Sequence, residues 1–351
     1  MSDRFMIYGA TGYTGKLIIR TAKALGMSPL IAGRTEARLK SLGAQHGLEY
    51  MAFGLDDPQA IDAALSQVDV VLHIAGPFSA TSRPMLDACL RTGTHYLDIT
   101  GEIDVFEAAA ARDGEAKAAN IMVLPGCGFD VVPSDCLAAH MKRRMPDATE
   151  LTISIAGLGG LSRGTAKSGV EGVGKGIRVR REGKIVRARP VPRRTLDMGE
   201  GPKPFIGMPW GDVSTAYHST GIPDITVYFQ SSPQLEQMAK LGFFGRWIAS
   251  RGFMQSRLKR QIELAVEGPS EAARRAGRCL LLGEAMNGAG EKVATRLRTP
   301  EGYTLTAMTS LEIVSRVLAG ELIPGFQTPS SVYGPDFILE FDGCHREDIN
   351  H

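Results

Sequence analysis

Apolar residues in the first 130 positions fall into short runs separated by segments with helical spacing. Phe5-Met6-Ile7-Tyr8 leads into Gly9 and predicts a first strand, and Leu17–Leu25 predicts a first helix. The runs Pro29–Ala32, Leu48–Phe53, Val68–Ala75, His95–Ile99 and Ile121–Pro125 predict five more strands. Between them Glu36–His46, Pro58–Gln67 (with Asp57 as N-cap), Arg83–Thr92 and Val105–Ala119 predict helices. Strands alternating with helices predict a doubly wound parallel sheet covered on both faces, with ligands beyond the carboxyl ends of the strands. From about residue 148 the pattern changes. Leu151–Ala156, Ile177–Arg180 and Ile225–Phe229 alternate at period two, and glycines and prolines punctuate the region, which predicts a largely antiparallel sheet. Tyr303–Ala307 reads as a strand and Ser310–Ala319 as a helix.

The turn after the first strand carries three glycines spaced three apart, Gly9, Gly12 and Gly15. In a strand–turn–helix context Gly9 makes the turn, Gly12 lets the backbone approach a pyrophosphate, and Gly15 lets the helix pack close. The helix N-terminus offers N–H groups to the anion, with the Thr11 and Thr14 hydroxyls beside them. After the second strand the first charged side chain is Arg34, with Arg38 one turn on. Arginine here suits a ribose 2′-phosphate, whereas an acid would suit a free 2′-hydroxyl, so the expected cofactor is NADP(H). Gly76-Pro77-Phe78 and Gly126-Cys127-Gly128-Phe129 end the fourth and sixth strands, where a dinucleotide and its nicotinamide pass. Cys127 reads as a buried thiol and His73 as a core histidine.

With 351 residues there is room for two domains. A net charge of +2 says little about partners. Five scattered cysteines without a C-x-x-C pair argue against a disulfide framework and against a zinc site, so no metal is expected. Met1–Arg4 leaves no room for a signal peptide and no apolar stretch is long enough to span a bilayer, so the expected location is the cytoplasm.

The motifs Gly9–Gly15, Ala32-Gly-Arg34, Ala75–Phe78, Tyr96–Glu102 and Gly128–Asp135 resemble the saccharopine dehydrogenase-like oxidoreductases. Trp210–Tyr217, Ser219–Pro223, and Gly325–Pro329 through Gly343 look like the branch of trans-acting enoyl reductases. The resemblance implies a Rossmann-type domain at 1–147, an inserted α+β substrate or oligomerisation domain at 148–311, and a segment at 312–351 returning to the first. It implies that Gly9, Thr11, Gly12, Tyr13, Thr14 and Gly15 hold the pyrophosphate, with Arg34 and Arg38 on the 2′-phosphate. Leu55 and Asp56 would then lie near the adenine, and Ala75, Gly76, Pro77, Phe78, Gly126, Cys127 and Phe129 along the nicotinamide side. The implied reaction is reduction of the C=C of an α,β-unsaturated acyl or polyketide thioester. Opine-type amino acid chemistry is the enzymatic alternative, and a non-catalytic dinucleotide-binding protein at a lipid surface is the other.

Reduction needs a proton donor beside the hydride. Tyr217, His218, Tyr96 and Asp130 are the candidates, with Tyr217 placed first as catalytic residue. Asp98 and Glu102 fit helix capping or ribose contact as well as catalysis. Lys175–Arg194 holds nine Lys or Arg and one acid, and reads either as a solvated hairpin or as a docking surface for a carrier protein or an anionic membrane. Leu241–Arg260 mixes aromatics with cations and reads as packing, an acyl channel or a membrane-peripheral segment. Nucleic acid is not expected as a partner, and a homo-oligomer is.

Overall fold

A computed structural model describes residues 4–160, 175–199, 201–233, 235–236 and 268–349. It divides into two compact units, Met1–Asp130 with Tyr303–Val332, and Val131–Gly302 with Tyr333–His351.

The first unit is built on β1 (Phe5–Tyr8), β2 (Leu30–Gly33), β3 (Tyr50–Ala52), β4 (Val70–His73), β5 (His95–Asp98), β6 (Met122–Leu124) and β15 (Gly325–Phe326). They form one parallel sheet in the order β15-β6-β5-β4-β1-β2-β3. The strand order reverses between β1 and β4, the point at which a doubly wound sheet opens a ligand crevice. β1 and β4 are buried along their whole length, as continuous apolar strands covered on both faces must be. The connecting helices are α1 (Tyr13–Ala24), α2 (Glu36–His46), α3 (Pro58–Leu65), α4 (Phe78–Thr92), α5 (Ile103–Ala110) and α6 (Asp113–Ala118). Asp57 caps α3 by accepting from the Gln59 and Ala60 amides at 3.0 and 3.1 Å.

Two local readings are corrected. Val105–Ala119 is two helices, because Arg112 turns out of the ladder to pair with Asp87 and with Glu115 at 2.8 Å. Asp113 and Glu115 then begin a new helix, where acids complement the N-terminal partial charge. Tyr303–Ala307 is not a strand but the start of a long helix, Gly302–Leu318, called here the returning helix. Its buried positions Leu305, Thr306, Ala307, Thr309, Ser310, Leu311, Ile313, Val314 and Val317 recur at three- and four-residue steps along one broad helical face. Threonine and serine occupy half of the buried stripe near its start, so the stripe is invisible to a reading that counts only apolar residues. Their hydroxyls are satisfied within the fold, as Ser310 Oγ is by the Thr306 carbonyl at 2.6 Å.

The second unit is a mixed, mostly antiparallel sheet in the order β10-β11-β12-β7-β13-β14-β16. The strands are β7 (Ala148–Ala156), β10 (Arg193–Asp197), β11 (Pro202–Gly207), β12 (Asp224–Gln230), β13 (Arg278–Asn287), β14 (Lys292–Pro300) and β16 (His345–Ile349). β8 (Arg178–Arg181) and β9 (Lys184–Arg187) form a hairpin attached to β12. Only the β7–β12 pair is parallel among the pairs described. The helix α7 (Val132–Arg144) lies against this sheet. Gly283 on β13 admits it, since a Cβ there would come within 2.9 Å of Leu137 Cγ and 3.1 Å of Met141 Cγ.

That packing moves the unit boundary from the expected 147 to 130. The C-terminus is likewise divided. Residues through Val332 return to the first unit, but Tyr333–His351 stays with the second. Arg143 grips Asp336 in a fork at 2.8 and 3.0 Å, Arg346 joins the same carboxylate, and β16 pairs with β14. His140 completes the clasp. Arg143 must donate to its Nδ1 at 2.8 Å, so Nε2 carries the proton and donates to Asp348 at 2.8 Å. Burial, the largest influence, holds the His140 pKa below its usual 6.5. The unfolded chain therefore takes up the proton first as pH falls below about 6.5, and this clasp loses stability there. We expect faster amide exchange in His345–Ile349 as pH is lowered from neutral, after correction for the intrinsic exchange rate, and a weaker pH dependence in His140→Gln.

Candidate functional site

The carboxyl edge of the first unit's sheet is shaped by close backbone contact. Gly9 follows β1 with φ of +96°, and its amide and that of Ala10 both donate to Ala32 O, at 2.9 and 3.2 Å. A Cβ on Gly9 would lie 2.8 Å from Ala75 N, so the turn after β1 sits directly on the backbone after β4. A Cβ on Gly15 would lie 2.6 Å from Ala10 O, so α1 presses on the turn. Gly12 differs. It is exposed, it is the N-cap of α1, and no side chain caps that helix. Two glycines thus close the turn and the third leaves an open helix N-terminus, where first-turn amides lack intrahelical acceptors. Thr11, Tyr13 and Thr14 are half-buried around it.

Arg34 and Arg38 are exposed beyond β2, and neither makes an ion pair among the described residues. Tyr8 at the end of β1 donates to Phe53 O at 3.2 Å, and burial pushes its hydroxyl up to about 12, with Arg34 lowering it and Asp56 raising it. Those opposed influences place Arg34 and Asp56 around the end of β1, from the loops after β2 and β3. Leu55 is half-buried against the core.

After β4 the segment Ala75–Phe78 is held by two side chains. Thr81 Oγ donates to Ala75 O at 2.7 Å and stands 3.0 Å from His73 Nε2. Burial pushes His73 down to about 3, so the ring is neutral, and Nδ1 is buried without a hydrogen-bond partner. The Glu102 carboxylate accepts the Phe78 and Ser79 amides, each at 2.9 Å, and so caps α4. Capping is the role the structure shows for Glu102.

Asp98, at the end of β5 and fully buried, accepts from Tyr96 Oη at 2.6 Å, Thr100 N at 2.8 Å and Gly126 N at 2.9 Å. Burial still raises it to about 6. The adjoining segment is anchored from both sides. Cys127 N donates to Asp98 O at 2.7 Å, Thr309 Oγ donates to Cys127 O at 2.7 Å, and Phe129 N donates to Thr306 Oγ at 3.0 Å. Cys127 is buried, its thiol points to Leu124 O at 3.2 Å, and burial raises it well above the ordinary range. It is a structural thiol. Tyr303 on the returning helix packs edge-on against Tyr13, with ring centroids 5.1 Å apart.

All the residues expected to hold a dinucleotide therefore lie at one sheet edge. The sequence reading missed Tyr303 and Thr306, because Tyr303–Ala307 reads as a strand, and Thr309, which falls between that run and the helix expected from Ser310. The cluster of threonines there was the available signal.

Tyr217 lies in the second unit, on helix Asp212–Thr220, with the Arg180 guanidinium 4.1 Å above its ring and His218 beside it. Arg180 is 3% exposed and donates to Val213 O and Gly183 O, so Tyr217 serves as a platform for a buried cation. The basic stretch runs through the β8–β9 hairpin into β10, where Arg193 and Arg194 pair with Glu236 and Glu284. Leu241–Arg260 lies outside the described residues. Among the described residues no group of acids, histidines or cysteines could hold a metal, and no helix is long and apolar enough to cross a membrane.

Residues 5–124 match the saccharopine dehydrogenase NADP binding domain. A trans-acting enoyl reductase of Mycobacterium leprae is 34% identical over 151 residues, which are 40% of this chain and 35% of that protein. A putative trans-acting enoyl reductase of Mycobacterium tuberculosis is 31% identical over 186 residues, 47% of this chain and 43% of that protein. The matches thus span well under half the length of these relatives. The fold is that of apo saccharopine dehydrogenase (L-Glu forming) from Saccharomyces cerevisiae, with a TM-score of 0.65 at 14% identity, over 99% of this chain and 100% of that one.

Gly15→Ala is expected to lower stability by about 1–3 kcal/mol, because the added carbon meets backbone that cannot yield. Urea unfolding checks this. Glu102→Gln keeps the shape but weakens the cap on α4 and should cost about 1 kcal/mol in the same measurement.

Proposed function

With residues 5–124 a saccharopine dehydrogenase-type NADP-binding domain, we propose that this protein is an NADPH-dependent reductase acting on the C=C of an α,β-unsaturated acyl or polyketide thioester. The observation that carries the cofactor reading is the open α1 N-terminus behind Gly12, with Arg34 and Arg38 unpaired beyond β2. The residues fit the group. The helix end and the Thr11 and Thr14 hydroxyls receive a pyrophosphate, and the two guanidiniums receive a 2′-phosphate. Leu55 and Asp56 border the adenine half, and Ala75–Phe78 and Gly126–Phe129 the nicotinamide half. When bound, the cofactor supplies a hydride.

The protein's own part is to hold and orient. Asp98, Thr306 and Thr309 fix the nicotinamide-side segment through backbone hydrogen bonds, so its geometry is set before a ligand arrives. The substrate class rests on the relatives named trans-acting enoyl reductase.

Arg34→Ala should weaken NADPH binding by about tenfold to a hundredfold, the worth of a charge-assisted contact, and leave NADH unchanged. Cofactor fluorescence titration decides. Equal losses for both nucleotides would sink the 2′-phosphate assignment. NADPH oxidation on adding trans-2-enoyl thioesters supports the substrate class, whereas oxidation only with an amino acid and a 2-oxo acid would replace it with opine-type chemistry.

A further inference from the structure

The end of β6 carries one carboxyl that no structural role absorbs. Asp130 directly follows the anchored Gly126–Phe129 segment and leans over the loop after β5. A Cβ on Gly101 would lie 2.9 Å from Asp130 Oδ2 and 3.2 Å from its Cβ, so the absence of a side chain at Gly101 makes room for the carboxyl. Asp130 is half-buried and has no hydrogen bond or ion pair among the described residues.

Its neighbours in the same unit are otherwise engaged. Tyr96 donates to Asp98, which accepts three hydrogen bonds, and Glu102 caps α4. Cys127 is buried with its thiol turned to a carbonyl, and His73 is a buried neutral ring. The returning helix presents Thr306 near this segment and no charged side chain before Glu312.

We propose that Asp130 is the proton donor of the reduction, protonated while the reduced dinucleotide is bound and ionised opposite the oxidised one. This role rests on the reductase reading. Strands β4 to β6 carry the nicotinamide half of a dinucleotide in a sheet of this order, which puts Asp130 beside the reacting ring.

The chemistry balances. One end of the substrate C=C gains the hydride, and the displaced electron pair at the other end takes the carboxyl proton. The nicotinamide is left oxidised and cationic beside a carboxylate, and solvent restores the proton. Burial without a compensating charge raises Asp130 to about 7, and no neighbouring ionisable group contributes to that shift. A carboxyl so placed is largely protonated near neutrality yet gives up its proton readily.

The test needs no substrate. Dissociation constants of NADP+ and NADPH are measured on the full chain from about pH 5.5 to about pH 8.5, for wild type and Asp130→Asn. Both nucleotides carry the same 2′-phosphate, so its ionisation cancels in their ratio. In wild type the ratio of the NADP+ constant to the NADPH constant should rise severalfold as pH falls, with a limit of about tenfold per pH unit. Asp130→Asn should make the ratio flat.

In unbuffered wild-type solution near neutrality, NADP+ should also release a fraction of a proton more than NADPH does. This second readout needs no variant. A flat wild-type ratio overturns the proposal. So does a slope that survives Asp130→Asn, as it would if Asp98 were the titrating group. Failure of wild type to bind either nucleotide overturns the reductase reading itself, and the role of Asp130 with it.

Discussion

The first unit depends on backbone touching backbone. Gly9 lies on the Ala75 amide and Gly15 on the Ala10 carbonyl, at distances that exclude a methyl group. The first contact draws the turn after β1 and the segment after β4 together where the strand order reverses, and the second seats α1 on that turn. A parallel sheet leaves its ligand crevice at that reversal, so two missing side chains give the crevice its shape. Gly12 is less crowded, with a Cβ there 3.3 Å from Gly9 O, and it is exposed and leaves the helix end open.

Around this edge the polar groups divide into those that build and those left over. Asp98, Glu102, Thr81, Thr306 and Thr309 bind backbone amides or carbonyls and make irregular segments as definite as the strands. Buried polar groups need such partners, because an unmet donor or acceptor costs far more than a satisfied one gains. Left over at this edge are the exposed Arg34 and Arg38 and the half-buried Asp130, at the two ends where opposite halves of a dinucleotide would lie.

The second unit shows the same economy in its arginines. Arg180 is buried over Tyr217 with its donors on two carbonyls, and Arg193 and Arg194 are paired with acids. Three cations of the basic stretch are thus tied into the unit's own framework, while Lys175, Arg181, Lys184, Arg187 and Arg189 are exposed. Linear charge density cannot distinguish these cases, because the partners come from distant strands and helices.

By itself the sequence determined the parallel sheet and the placing of its turns, because those follow from local rules. Apolar runs become strands, glycine spacing makes the phosphate turn, and Asp57 starts a helix. It also brought the dinucleotide candidates to a single edge, since each follows a strand. Only the tertiary structure decided what those rules cannot reach. The first turns of the returning helix were hidden because half of the buried residues there are threonine and serine, and the Thr306 and Thr309 hydroxyls find partners in Phe129 and Cys127 only once the chain is folded. The unit boundary was displaced because α7 packs where Gly283 admits it, a contact between residues far apart in the chain. The isolation of Asp130 was equally illegible, because it depends on every neighbouring ionisable group being engaged elsewhere.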